Sequence, residues 1–341
     1  MTLPSSAALR TPRGPLLLLA AWIVLIGGIQ WMKAGQSQLP PIGDVFSFIW
    51  KAKNTWANIK QGLPLNPFDV SPPGRPPGTV LITYPFGFDN DYRAYRFRTV
   101  FIPFAVWTLA VLIICWPRRD DGTAKHRWIA AWAAIVFGAN PFFFQFEAGG
   151  PREHWGLLDS ALGAFAGLSL ALLARAMAAR STALMAAGVA SASFCLALKP
   201  SGSLVLLLTG VYFVVGEALR LWECRRQGRS EGSRFLLTGL LWFAVLGGGL
   251  SFISLTSGYL SHEEVAINRS AQAILMQMDE KVDSLVLLRG QYIYLGLPGL
   301  LLLAVAVATV VRDGVSGALR QGSFNLWAAL LITLFGYLAC K

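Results

Sequence analysis

Long apolar runs separated by short polar segments dominate the pattern of this chain. Nine runs approach or reach the roughly 20 residues a helix needs to cross a hydrocarbon core. They are 15–32, 99–116, 128–146, 157–174, 182–198, 203–219, 235–258, 292–311 and 323–340. Membrane β-strands would alternate polar and apolar positions over about 10 residues, whereas these runs are continuous. Helices are therefore expected, since hydrocarbon offers an open backbone no hydrogen-bond partner. Where a cleaved leader would need small residues, the first run has Trp22, Gln30 and Trp31; it is read as an uncleaved span.

Composition supports the pattern. A length of 341 residues would ordinarily suggest about two soluble domains. Yet 55% of the chain is hydrophobic and 14% charged, with a mean hydropathy of +0.53, whereas soluble domains are about one quarter charged. The 29 basic residues outnumber the 18 acidic ones, for a formal charge of +11. In a soluble chain that excess would suggest nucleic acid. Here the basic residues sit in short loops and lack the interleaved aromatics of a nucleic-acid module, so no nucleic-acid partner is expected.

Topology explains the excess better. With the N-terminus inside, fifteen Lys and Arg fall in inner segments and six in short outer ones, as the positive-inside rule requires. Eight more lie in the long first loop, 33–98. A bacterial inner membrane with a cytoplasmic N-terminus is the expected location. Cys115, Cys195, Cys224 and Cys340 form no CxxC pair, so no disulfide framework or zinc site is indicated. The ninth run ends almost at the last residue. Two readings stay open: an outer C-terminus, or a chain that is part of something longer.

A loop of this length needs a reason. Val45 to Lys60 places apolar residues at 45, 46, 49, 52, 56 and 59, with Trp50 and Trp56 beside Lys51, Lys53 and Lys60. That spacing predicts an amphipathic helix, lying in the membrane interface or packed on the protein's own surface. Asp44 precedes it. Gly62-Leu63-Pro64-Leu65-Asn66-Pro67-Phe68 follows, then a proline-rich stretch from Pro72 to Gly78 and an apolar segment from Thr79 to Tyr84.

This order (span, acid, interfacial helix, proline-rich turn, apolar stretch) resembles the first outer loop of the type-C membrane glycosyltransferases (GT-C superfamily), which use polyprenyl-phosphate sugars. Leu157-Leu158-Asp159-Ser160 opens the fourth run, as in protein O-mannosyltransferase-like members. Arg175 to Gly202 runs through a basic turn and a small-residue helix into Lys199-Pro200-Ser201-Gly202, and is similar to another stretch of the superfamily. The resemblance covers roughly residues 15–220. Several branches carry two adjacent acids in the first loop; here Asp44 is followed by Val45. The expected organisation is a cytoplasmic N-terminus, 1–14, a catalytic transmembrane module, 15–220, and additional helices, 221–341, with an outer loop at 259–290.

The chemistry needs a base for an acceptor hydroxyl and cations for a leaving phosphate, on one side of the membrane. The resemblance implies Asp44 as general base and inversion at the anomeric carbon. Lys199 and Arg152 are donor-phosphate candidates, and Arg96, with Arg93, is a phosphate clamp or an interfacial anchor. Asp159, Glu153 and His154 are candidate acceptor or sugar contacts. Each has a plainer alternative. Asp44 reads equally as a helix-end acid in water, Lys199 as a snorkelling side chain and Asp159 as an acid favoured by the helix dipole. Glu217, inside a run, stands three residues before Arg220, where an ion pair is the economical explanation. Residues 259–290 include a further amphipathic pattern, with Ile274, Leu275, Met278 and Val282.

The expected fold class is all-α and polytopic, with about nine transmembrane helices and a long first outer loop holding an interfacial helix. The expected partners are a polyprenyl-phosphate-linked sugar, membrane lipids and a glycan, lipid or protein acceptor. No P-loop, GxGxxG or GxSxG occurs, in keeping with a donor drawn from the lipid phase. No cofactor is implied with certainty. A divalent cation is compatible with the loop carboxylates and His154, but no ligand spacing compels one. The alternatives are a transporter or lipid flippase, which would show broken helices near the midplane, and a non-catalytic assembly subunit of a cell-envelope glycan pathway.

Overall fold

The computed structural model describes residues 13–36, 44–63, 66, 68, 70, 77–83, 92–116, 124–138, 159–228 and 232–257. Every regular element among them is helical. In chain order they are α1 (Arg13–Gln36), α2 (Asp44–Lys60), α3 (Gly78–Thr83), α4 (Tyr92–Cys115), α5 (Ala124–Gly138), α6 (Asp159–Ala179), α7 (Thr182–Leu198), α8 (Gly202–Arg226), α9 (Arg234–Trp242), a π-helical segment (Phe243–Gly248) and α10 (Gly249–Thr256). Helix occupies the described part of each of the first seven apolar runs; of run 128–146 this is the part up to Gly138. Runs 292–311 and 323–340, and the pattern at 259–290, lie outside the described residues.

Five helical stretches are long and apolar enough to cross a membrane: Gly14–Gln36, Arg93–Cys115, Ser160–Ala179, Gly202–Arg226 and Arg234–Thr256. Helix α7 is a shorter apolar helix of 17 residues. Leu17, Val24, Leu207, Leu241 and Phe252 are each more than half exposed. Such a surface is stable against hydrocarbon and unfavourable in water. The chain is an integral membrane protein built of helices.

Helix α6 is central among the described helices. Two thirds of its apolar window is buried, against 11% for Arg234–Thr256. It packs on α4 and α7 through small residues that let the backbones approach. Ser169 Oγ donates to the Gly188 carbonyl at 2.8 Å and Ser191 Oγ to the Phe165 carbonyl at 2.8 Å. These bonds set α6 and α7 antiparallel. On the other side, Trp107 of α4 lies against Gly167, and Phe104 clusters with Ala164 and Ile26, so α4 runs parallel to α6. Other hydroxyls are satisfied within their own helices, including Thr108 to Phe104, Ser193 to Val189 and Thr209 to Val205, the economical solution where water is absent.

The long loop is shorter than expected, because α1 continues to Gln36 and α4 starts at Tyr92. Arg93, Arg96 and Arg98 are therefore the first turns of a span rather than loop residues. Helix α2 buries Ile49, Ala52 and Thr55 and leaves Trp50 and Lys53 exposed. One face is thus packed on the protein, while the other carries the aromatic and basic residues suited to an interface.

Candidate functional site

The K-P-S-G stretch is a tight reversal. A proline at 200 pushes the preceding residue out of the helical region. Lys199 accordingly adopts φ −156°, ψ 153°, while its N–H still bonds the Cys195 carbonyl. The chain turns at once: Gly202 N–H donates to the Lys199 carbonyl at 2.9 Å and Ser203 N–H to the Pro200 carbonyl at 3.1 Å. Gly202 lies so close to the Cys195 backbone that a Cβ would overlap its carbonyl; only glycine fits. Lys199 is thereby fixed, half-buried, at the junction of α7 and α8.

The pairing of α6 with α7 brings Asp159 to the same level. Ala161 and Leu198 share a buried cluster with Ile82, so the residues flanking them, Asp159 and Lys199, stand at one end of the bundle. Asp159 is the first residue of α6; its side chain lies outside the described set. Arg96 belongs to the same end. Extending the offset set by Trp107 on Gly167 outward places it about one turn beyond the start of α6. It is only 4% exposed, and a guanidinium so buried is stable only when its charge is answered. Neither Arg96 nor Lys199 is without a partner.

The first loop folds down onto this junction. Phe68 clusters with Ala197, and Gly78 is pressed on the Leu198 backbone, where a Cβ would stand 2.8 Å from Leu198 Cα. The other end of that connection is Lys51. It is fully buried in α2 and donates from Nζ to the Val70 carbonyl at 2.9 Å. Sequence reasoning counted Lys51 among the interfacial lysines. Its helical phase gives the signal it missed: Lys51 stands one turn before buried Thr55 and beside buried Ala52. Through Lys51, Val70, Phe68 and Ala197, the helix that opens with Asp44 is tied to the turn that holds Lys199. Asp44 itself is the first residue of α2, and its side chain lies outside the described set.

Arg93 has an anchoring role. Its Nε donates to the Trp31 carbonyl at 3.2 Å, and its guanidinium lies 4.4 Å from the centre of the Trp31 ring. Trp31 meets Phe97 edge-on, at 5.3 Å. This set clamps α4 to the end of α1. Arg152, Glu153 and His154 lie outside the described residues. Among the described residues, no three His, Cys, Asp or Glu side chains gather as a metal ion would need.

The opposite end holds a different cluster. Glu217, 1% exposed, accepts from Arg220 Nε at 3.2 Å, the pair expected from their spacing. Sequence reasoning did not find its second partner, Arg180, whose Nη1 reaches both Glu217 oxygens at 2.7 Å. Arg180 sits in the turn after α6 at φ +53°, a conformation that favours glycine. Its guanidinium also stacks 3.8 Å from the centre of the Phe235 ring. One buried acid thus ties the α6–α7 turn to α8, and the stack extends the tie to α9.

Comparison with protein families, curated proteins and solved structures returns no match. The class defined by the fold is a helical integral membrane protein with charged side chains gathered at both ends of its bundle.

Proposed function

We propose that this protein is a membrane glycosyltransferase of the type-C kind, moving a sugar from a polyprenyl-phosphate carrier to an acceptor at the loop-bearing face. The observation that carries the reading is the convergence of the first-loop elements on the K-P-S-G turn: Phe68 on Ala197, Gly78 on Leu198, Lys199 next in the chain and Arg96 buried at the same end.

In this reading the Asp44 carboxylate takes the proton of the acceptor hydroxyl as its oxygen attacks the anomeric carbon. The carbon–oxygen bond to phosphate breaks, and the electron pair leaves with the polyprenyl phosphate. Lys199, Arg96 and Arg152 stabilise that developing charge. Asp159, Glu153 and His154 contact acceptor or sugar. A single displacement of this kind inverts the anomeric centre. The N-terminus is cytoplasmic, the site faces the periplasm across a bacterial inner membrane, and nine helices cross it.

One observation favours the transporter reading: the π-helical segment Phe243–Gly248 interrupts the span Arg234–Thr256 near its middle. Such segments often mark functional positions in helices.

The test is turnover by purified protein in lipid, with polyprenyl-phosphate sugars and host membrane acceptors, following release of polyprenyl phosphate by mass spectrometry. Wild type is expected to release it, and Asp44→Asn to lose about 10²-fold or more. Release unchanged in Asp44→Asn removes the base assignment. Folded wild type that consumes no donor removes the enzyme reading.

A further inference from the structure

The end of the bundle opposite the first loop carries arginines that the ion cluster at Glu217 does not use. Helix α8 shows a lipid-facing stripe at Leu207, Val211, Val215, Leu219 and Trp222, each between 42% and 63% exposed. The spacing of three or four residues keeps them on one face. The next position on that stripe is Arg226, whose guanidinium lies 4.6 Å from the centre of the Trp222 ring. The apolar stripe therefore ends in an aromatic and a cation, the sequence of groups met when passing from hydrocarbon into headgroups.

The neighbouring strip repeats this order from the other direction. Helix α9 opens with exposed Arg234, and its outward face continues through Leu237 and Leu241, 60% and 62% exposed. The turn between α8 and α9 is short, with Gly228 at φ +69° and its N–H bonded to the Arg225 carbonyl. Arg225 and Arg226 close α8 and Arg234 opens α9, so all three stand at this end of the bundle. Among the described residues, no acid pairs with any of the three. Glu217, the buried acid nearby, is taken by Arg180 and Arg220; the Glu223 and Glu231 side chains lie outside the described set.

We infer that Arg225, Arg226 and Arg234, with Trp222, form a headgroup site for anionic phospholipid in the leaflet at this end. The cations continue lipid-facing stripes, so the anion within their reach is a lipid phosphate rather than a soluble polyanion. This inference is independent of the glycosyltransferase reading.

Native mass spectrometry of the full chain in detergent tests it, with phosphatidylglycerol and phosphatidylcholine of matched acyl chains added separately and inorganic phosphate as a third probe. Wild type is expected to retain phosphatidylglycerol over phosphatidylcholine by about fivefold for each arginine engaged, and inorganic phosphate not at all. Arg225→Gln/Arg226→Gln/Arg234→Gln should lose most of that preference. Arg226→Gln alone, a change at an exposed side chain, should lose about fivefold and serves if the triple variant does not fold. Lys125→Gln/Arg127→Gln, at the start of α5, should leave the preference unchanged. Equal retention of the two lipids overturns the inference, as does capture of inorganic phosphate with equal strength. A loss in the α5 variant as large as in the triple variant also overturns it, because the cause would then be the general field of the basic end.

Discussion

The two ends of the bundle use charge in different ways. At the α8–α9 end, a single carboxylate holds two guanidiniums at ion-pair distance, and a ring supports one of them. The group closes on itself and joins three elements. At the loop-bearing end, Lys199 is set by backbone, through a proline-enforced helix end, a glycine that fits against a carbonyl and a loop seated through Phe68 and Gly78, while Arg96 is carried to the same end by the packing of α4 on α6. Charges that close on each other hold a fold together. At the loop-bearing end, rigid backbone and helix packing decide where the cations stand, as a preorganised site requires. The contrast is why the proposed chemistry is assigned to the loop-bearing end and a stabilising role to the other.

The comparison can be broken by substitution. Glu217→Ala should produce the largest loss of stability, about 3 kcal/mol, because it leaves Arg180 and Arg220 around a buried site with no anion; denaturation in detergent would measure it, and a change near zero would mean that the cluster is idle. Gly202→Ala should come next, at about 2 kcal/mol, since the added methyl must displace the Cys195 carbonyl. Its effect should also reach turnover, by shifting Lys199. Lys51→Met should lose about 1 to 2 kcal/mol by leaving the Val70 carbonyl unanswered, and limited proteolysis of the 61–77 segment should quicken. Arg93→Gln should be smallest, about 1 kcal/mol, removing a stack on Trp31 while leaving turnover intact. Turnover lost in Arg93→Gln would move the anchor into the site.

Hydropathy made the bundle legible, and it failed where charges were folded inward. Where they are described, the first seven apolar runs are helical, and run 182–198 has the same limits as α7. The start of α4 was placed seven residues late, at 99 instead of Tyr92, because three arginines interrupt the apolar signal. Arg93 folds back on α1 and Arg96 is buried, so neither ends the helix. Lys51 was hidden for a related reason: α2 packs one face on the protein, one of the two readings its pattern left open, and this lysine lies on that face. Glu217 with Arg220 was readable because the partners are neighbours on one helix. Arg180 was not, because its contact depends on the packing of α6–α7 against α8 and on a left-handed backbone that no spacing announces. Of the candidate site, the K-P-S-G stretch and Arg96 were visible as residues. Their proximity to the first loop depends on the seating of Gly78 and Phe68, which lies in tertiary contacts.

The most direct test of the contrast between the two ends measures Asp44→Asn and Glu217→Gln side by side, scoring each for thermal stability and for polyprenyl-phosphate release per folded molecule. Asparagine serves a helix start as well as aspartate does, so Asp44→Asn should keep wild-type stability and lose about 10²-fold or more in release. Glu217→Gln should melt earlier and release product at the wild-type rate while folded. The reverse pattern, with Asp44→Asn unstable but active or Glu217→Gln stable but inactive, would contradict the account.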